Sequence, residues 1–71
     1  MNTLETVQGV IQDKLQNLLF KIKLQYDKEI IAYLSGKMKI NKITILIGDI
    51  VEVLLDPAGG KTTNRIIRRI L

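Results

Sequence analysis

Seventy-one residues hold one small domain, near the lower limit at which a single apolar core sustains a fold without staples, and leave no room for a second. The chain has no cysteine and no histidine, which excludes a disulfide framework, a thiol nucleophile, an imidazole base and the usual zinc sites; metal chemistry would rest on seven scattered carboxylates. A net charge of +4 and a pI near 9.6 favour a polyanionic partner.

Residues 1–5, Met1-Asn2-Thr3-Leu4-Glu5, carry no basic cluster ahead of an apolar run and read as a flexible N-terminus before a single domain over 6–71. The longest apolar run, Ile43-Thr44-Ile45-Leu46-Ile47, is far too short to span a bilayer. A cytoplasmic chain, or one inside an organelle with its own genes, is therefore expected, with no membrane partner.

Five extended segments follow. Thr6 to Leu15 is the first, with Gly9 as the expected bulge or bend. After a turn at Gln16-Asn17, Leu18 to Leu24 alternates at period two, which predicts Phe20, Ile22 and Leu24 inward and Lys21 and Lys23 outward. A second turn, Gln25 to Lys28, leads to Glu29–Leu34, where Ile30, Ala32 and Leu34 continue the inward set and Tyr33 joins the lysines outside. Beyond Ser35-Gly36 the period breaks: Lys37 to Lys42 has three lysines in six residues and suits an irregular loop or a single helical turn. The fourth strand follows Gly48-Asp49, with Val51, Val53 and Leu55 on one side and Glu52 on the other, and Pro57 stops it. Asn64 to Ile70, rich in β-branched residues, is the fifth.

Between the last two strands stands DPAGGKTTNR, Asp56 to Arg65. Gly60-Lys61-Thr62 matches the end of a phosphate-binding loop, but the glycine such a loop requires five residues before Gly60 is Leu55, and a strand, not a helix, follows. The loop is read as a connection whose glycines permit an unusual backbone path. No nucleophile and base pair suggests itself, so an enzyme is not expected, nor a cofactor.

Five strands in about 65 residues with a break after the third suggest an all-β, closed Greek-key barrel of the oligonucleotide-binding kind, with an SH3-like barrel as the rival. In the former, the outer face of strands two and three, with the loops after strand one and between strands four and five, meets the ligand; Lys21, Lys23, Tyr33 and Lys61 fall there. Each has a plainer reading. The two lysines suit the solvated face of any strand, and Tyr33 either stacks on a base or is an ordinary half-buried tyrosine. The Lys37 to Lys42 loop, with its charge density outside any strand, reads as functional on residue type alone.

The segment SGKMKINKITILIGD, Ser35 to Asp49, resembles the central signature of bacterial-type translation initiation factor one, Ser-Gly-Lys-Met-(basic)-x-Asn-x-Ile-x-Ile-Leu-x-Gly-Asp. QGVI in the first strand, LQNLLFKIKL across the first turn and RIIRR in the last strand extend the similarity over roughly residues 7 to 69. The resemblance implies a five-stranded oligonucleotide-binding barrel that binds small-subunit ribosomal RNA at the aminoacyl-tRNA site, displaces decoding-centre adenines, and acts as a monomer with initiation factors two and three without catalysing a reaction. By position it implies RNA contacts at Lys37, Met38, Lys39, Asn41, Arg65 and Arg69; Met38 has a packing role as its alternative.

The chain departs from the family pattern in places. Thr44 stands where an arginine is common, and Lys42, two residues earlier, would share its side of an extended segment and supply the missing charge. Gln16 replaces a proline, the loop before the last strand is longer, and Arg68 occupies a position where the family tends to have an aromatic or apolar inward residue, so its stem is expected to pack near the barrel end while its head reaches water. Two other functions remain: a general single-stranded RNA binder of cold-shock or S1-like type, disfavoured by one phenylalanine and two tyrosines, and an SH3-like peptide binder, which needs more exposed aromatics.

Overall fold

The period-two segments build five strands, and the computed structural model, which describes residues 5–60 and 62–70, closes them into a barrel. The strands are β1 (Thr6–Lys14), β2 (Leu19–Lys23), β3 (Glu29–Leu34), β4 (Ile50–Leu54) and β5 (Asn64–Arg69); a five-residue helix, α1 (Gly36–Ile40), lies between β3 and β4. The order around the barrel is β1-β2-β3-β5-β4, with β4 returning to β1. All pairs are antiparallel except β3 with β5. The expected flexible N-terminus lies outside the described residues save Glu5, whose carbonyl accepts the Leu55 amide at 2.9 Å.

The inward set forms one core: Ile11, Phe20, Ile22, Ala32, Leu34, Val51, Val53 and Ile66 from the strands, with Val7, Leu24 and Ile30 packed against it. Two residues from the β3–β4 connection, Met38 and Ile45, complete the same cluster and cover the end of the barrel where β3 and β5 finish. Met38 reaches the core because Ser35 starts the helix: its Oγ accepts the Met38 amide at 3.2 Å, an N-cap that turns the chain sharply after β3.

Both early hairpins use two consecutive left-handed residues, Asn17 and Leu18 in one, Tyr26 and Asp27 in the other, as a type I′ turn requires to match strand twist. Leu18 is thus a turn residue, and β2 begins at Leu19. β4 ends at Leu54 rather than running on to Pro57, because Asp56 already organises the next loop.

Gly9 is not the bulge. It sits in regular register opposite Val51, and the irregularity in β1 falls at Gln12, between Ile11 and Asp13. Glycine is needed at position 9 because β2 crosses close by: a Cβ there would lie 2.8 Å from Leu24 Cδ2, 3.0 Å from the Lys23 carbonyl, and nearer still to Ile22 Cγ2. Gly9→Ala should therefore cost about 1–3 kcal/mol by overpacking, whereas Gly36→Ala, with nothing within 4 Å of the added carbon, should not destabilise. Urea melts of the two variants check this; equal midpoints would mean that β1 and β2 separate freely.

Candidate nucleic-acid interface

The strand directions sort the charges. β1 and the two strands β3 and β5 end on the side that carries α1, and there stand Lys14, Lys37, Lys39, Lys42, Arg68 and Arg69. The carboxylates on this side are engaged locally. Asp49 accepts the Leu46 amide at 2.8 Å, Asp13 accepts the Lys14 amide at 2.8 Å, and Glu52 pairs with Arg68 at 2.9 Å. Among the described residues, Lys37, Lys39, Lys42 and Arg69 have no carboxylate within ion-pair distance.

Arg69 ties the last strand to the connection after α1, its Nη1 donating to the Thr44 carbonyl at 3.1 Å. A pocket of about 280 Å³ lies at this end, lined by Lys37, Asn41, Arg68 and Arg69 with Met38, Ile43 and Ile67 as its apolar part. Met38 is only 2% exposed and packs into the core, the alternative role that the sequence offered for it. The notion that Lys42 and Thr44 share one face of an extended segment fails, because Lys42 has φ of 54° and breaks the alternation. The cation that reaches Thr44 is Arg69.

Arg68 is the residue whose role the sequence left open. β4 and β5 pair Val53 with Ile66 but Glu52 with Arg68, so Ile67 is an extra residue that reverses the alternation and turns Arg68 outward. Its guanidinium then meets Glu52 on the outer face. Glu52→Gln should release Arg68 and strengthen binding to a short single-stranded oligoribonucleotide, with a salt slope steeper by up to about one phosphate contact. Arg68→Ala should do the reverse, and fluorescence titration over a salt series reads both.

The outer face of β2 and β3 is electrically quieter. Lys21 lies 3.5 Å from Glu29 and Lys23 lies 3.0 Å from Asp27, so both expected contacts are already paired within their own hairpin. Tyr33 points outward, as alternation requires, and Arg65 stands beside it in the parallel β3–β5 register. A wider cleft of about 550 Å³ lies farther from α1, between Lys21, Ile31 and the loop at Gly59 and Gly60. Lys61 is outside the described residues.

That loop is closed on itself. The Asp56 carboxylate accepts the Thr63 hydroxyl, the Ala58 amide at 2.8 Å and the Gly60 amide at 3.1 Å, so amides that a phosphate would need already hold an anion. Gly60 has no room for a side chain against Asp56 and Thr63. The Thr63 hydroxyl first, then the amides, hold the Asp56 pKa below the ordinary carboxylate value. A depressed folded-state pKa contributes stability that is complete above the unfolded value of about 3.9 and is lost as pH falls through the lower folded one. Thermal melts through that acid range should fall more steeply for the wild type than for Asp56→Asn. Parallel curves would show that the loop bonds do not distinguish the two protonation states.

A closed five-stranded Greek-key barrel with a short helix after its third strand is an oligonucleotide-binding fold, here with a basic end. The family model of translation initiation factor 1A and its bacterial counterpart, initiation factor one, matches residues 2–71, and the chain belongs to this family of initiation factors. It is similar to the solution structure of translation initiation factor one from the Wolbachia endosymbiont strain TRS of Brugia malayi, with 38% identity and a TM-score of 0.80 over 99% of this chain and 82% of that one. The barrel also matches part of YjeQ from Thermotoga maritima, with 19% identity and a TM-score of 0.76 over 94% of this chain and 23% of that one. The circularly permuted GTPase YloQ is similar over the same shares, with 21% identity and a TM-score of 0.73. These last two likenesses concern the fold alone. Among the described residues no helix is long and apolar enough to cross a membrane.

Proposed function

We propose that the chain binds small-subunit ribosomal RNA at the aminoacyl-tRNA site and promotes initiation together with factors two and three, as a cytoplasmic monomer that acts by occupancy rather than catalysis. The observation that carries this reading is the joining of Arg69 to the Thr44 carbonyl, which brings the last strand against the connection that follows α1. Lys37, Lys39, Lys42 and Arg69 thereby become one cationic end without carboxylate partners among the described residues. Such an end gains counterion-release free energy on meeting phosphates, whereas the paired Lys21 and Lys23 gain less.

Asn41 adds a neutral donor and acceptor beside the cations, suited to a base or ribose edge. Arg65 and Tyr33 supply a second contact on the adjacent side. Affinity for small subunits should fall linearly with salt on a logarithmic scale. The double substitution Lys37→Glu, Lys39→Glu should weaken binding and flatten the slope by roughly two phosphate contacts, with little change in thermal midpoint. Co-sedimentation with small subunits and chemical footprinting of their RNA test the assignment. Protection confined to the decoding centre supports it; protection scattered over single-stranded RNA would replace it with the general RNA-binder reading.

A further inference from the structure

Tyr33 and Arg65 come from strands 32 residues apart in sequence and meet only because β3 and β5 pair in parallel, placing them side by side on the outer face. Arg65 Nε donates to the Tyr33 hydroxyl at 3.3 Å, and its guanidinium carbon lies 5.9 Å from the centre of the tyrosine ring. The side chain is thus held twice, by a hydrogen bond and by the electrostatic attraction of the ring. Its neighbours sharpen the contrast. Lys21 and Lys23 on the adjoining strand are paired with Glu29 and Asp27, while Arg65 has no carboxylate within ion-pair distance among the described residues.

We infer that Tyr33 and Arg65 form a preassembled clamp for a single unpaired nucleotide, in which Tyr33 is the positioning residue that aims the Arg65 guanidinium at phosphate. The inference rests on the reading of the chain as a ribosomal RNA binder. The chemistry follows from the donor inventory. Nε is spent on the tyrosine oxygen, while the two Nη atoms have no hydrogen-bond partner among the described residues and so can take a phosphate end-on. The Tyr33 hydroxyl accepts from Nε, so its effect on the ligand runs through Arg65. Leu19, directly across from Tyr33 on β2 and half-buried, extends the apolar flank of the ring on which a base can stack. An arginine already held in place loses less rotamer freedom on binding, so the clamp increases affinity without adding contacts.

Two measurements test it. In the isolated protein, the ¹H–¹⁵Nε signal of Arg65 should be resolved and protected from solvent exchange, and in Tyr33→Phe it should merge with the averaged signals of exposed arginines. An unchanged signal in that variant overturns the positioning role. In equilibrium titrations against small subunits at fixed salt, Tyr33→Phe should weaken binding roughly three- to tenfold, the scale of one lost hydrogen bond. Arg65→Lys should not restore what Arg65→Ala loses, and the double variant Tyr33→Phe, Arg65→Ala should bind no more weakly than Arg65→Ala alone. Losses that multiply, or single variants that bind like wild type, overturn the clamp while leaving decoding-centre binding intact. Wild-type protein that fails to bind small subunits overturns the functional reading and the clamp together.

Discussion

The parallel pairing of β3 with β5 is the constraint on which the rest of the molecule depends. Without it the five strands are an open sheet with unpaired edges; with it the core is enclosed on all sides. A buried asparagine sits at the start of this seam. Asn64 donates through Nδ2 to the Ile31 carbonyl at 3.0 Å and accepts the Asp56 amide on Oδ1 at 3.0 Å, linking β3 to the loop that enters β5. Both polar ends of the side chain are satisfied in a site only 6% exposed, where an unpaired one would be costly. The same seam brings Tyr33 to Arg65 and carries β5 to the α1 end. Closure and site assembly are one event.

From this geometry follows a division of the cations into two kinds. On the β2–β3 hairpin, lysines face carboxylates across the ladder or along the turn, and their fields largely cancel at a distance. At the α1 end the chain folds too tightly for such partners: a five-residue helix, a left-handed Lys42 and the end of β5 crowd cations together, while the nearby carboxylates cap turns or hold Arg68. Exposed pairs contribute little to stability, so the distinction matters less for folding than for the potential that a polyanion meets.

Much of this was legible in the residues. Strict alternation through Phe20, Ile22, Ala32 and Leu34 located two strands and their faces, and the loss of period after Ser35 located the helical turn, since both signals depend on local geometry. The failures share a cause. The role of Arg68 stayed open because one bulged residue, Ile67, reverses the alternation, and nothing local announces a bulge that exists only relative to β4. Lys42 and Thr44 were aligned on an extended backbone that the left-handed φ of Lys42 breaks. Gly9 carried the opposite error: the glycine was noticed and its reason mistaken, because the close approach involves side chains on β2 and just beyond it. The Tyr33–Arg65 contact needed the parallel register, which no single segment encodes.

The clustering at the α1 end has an energetic consequence for a chain of this size. Like charges that share a surface without partners repel in the folded state and are farther apart in the unfolded one, so they subtract from a stability that a 71-residue core can supply only modestly. Binding of phosphate removes that repulsion, and any ligand that prefers the folded state raises its stability by mass action. The core residues closest to the cluster are Met38 and Ile45, which cover the barrel end from the connection itself rather than from a strand. Apolar packing beneath the basic surface therefore opposes the mutual repulsion above it. The end of the barrel least favoured by its own charges is the one held by an N-capped helix, a buried methionine and an arginine reaching back to the Thr44 carbonyl, which keeps the cations in place against their mutual repulsion.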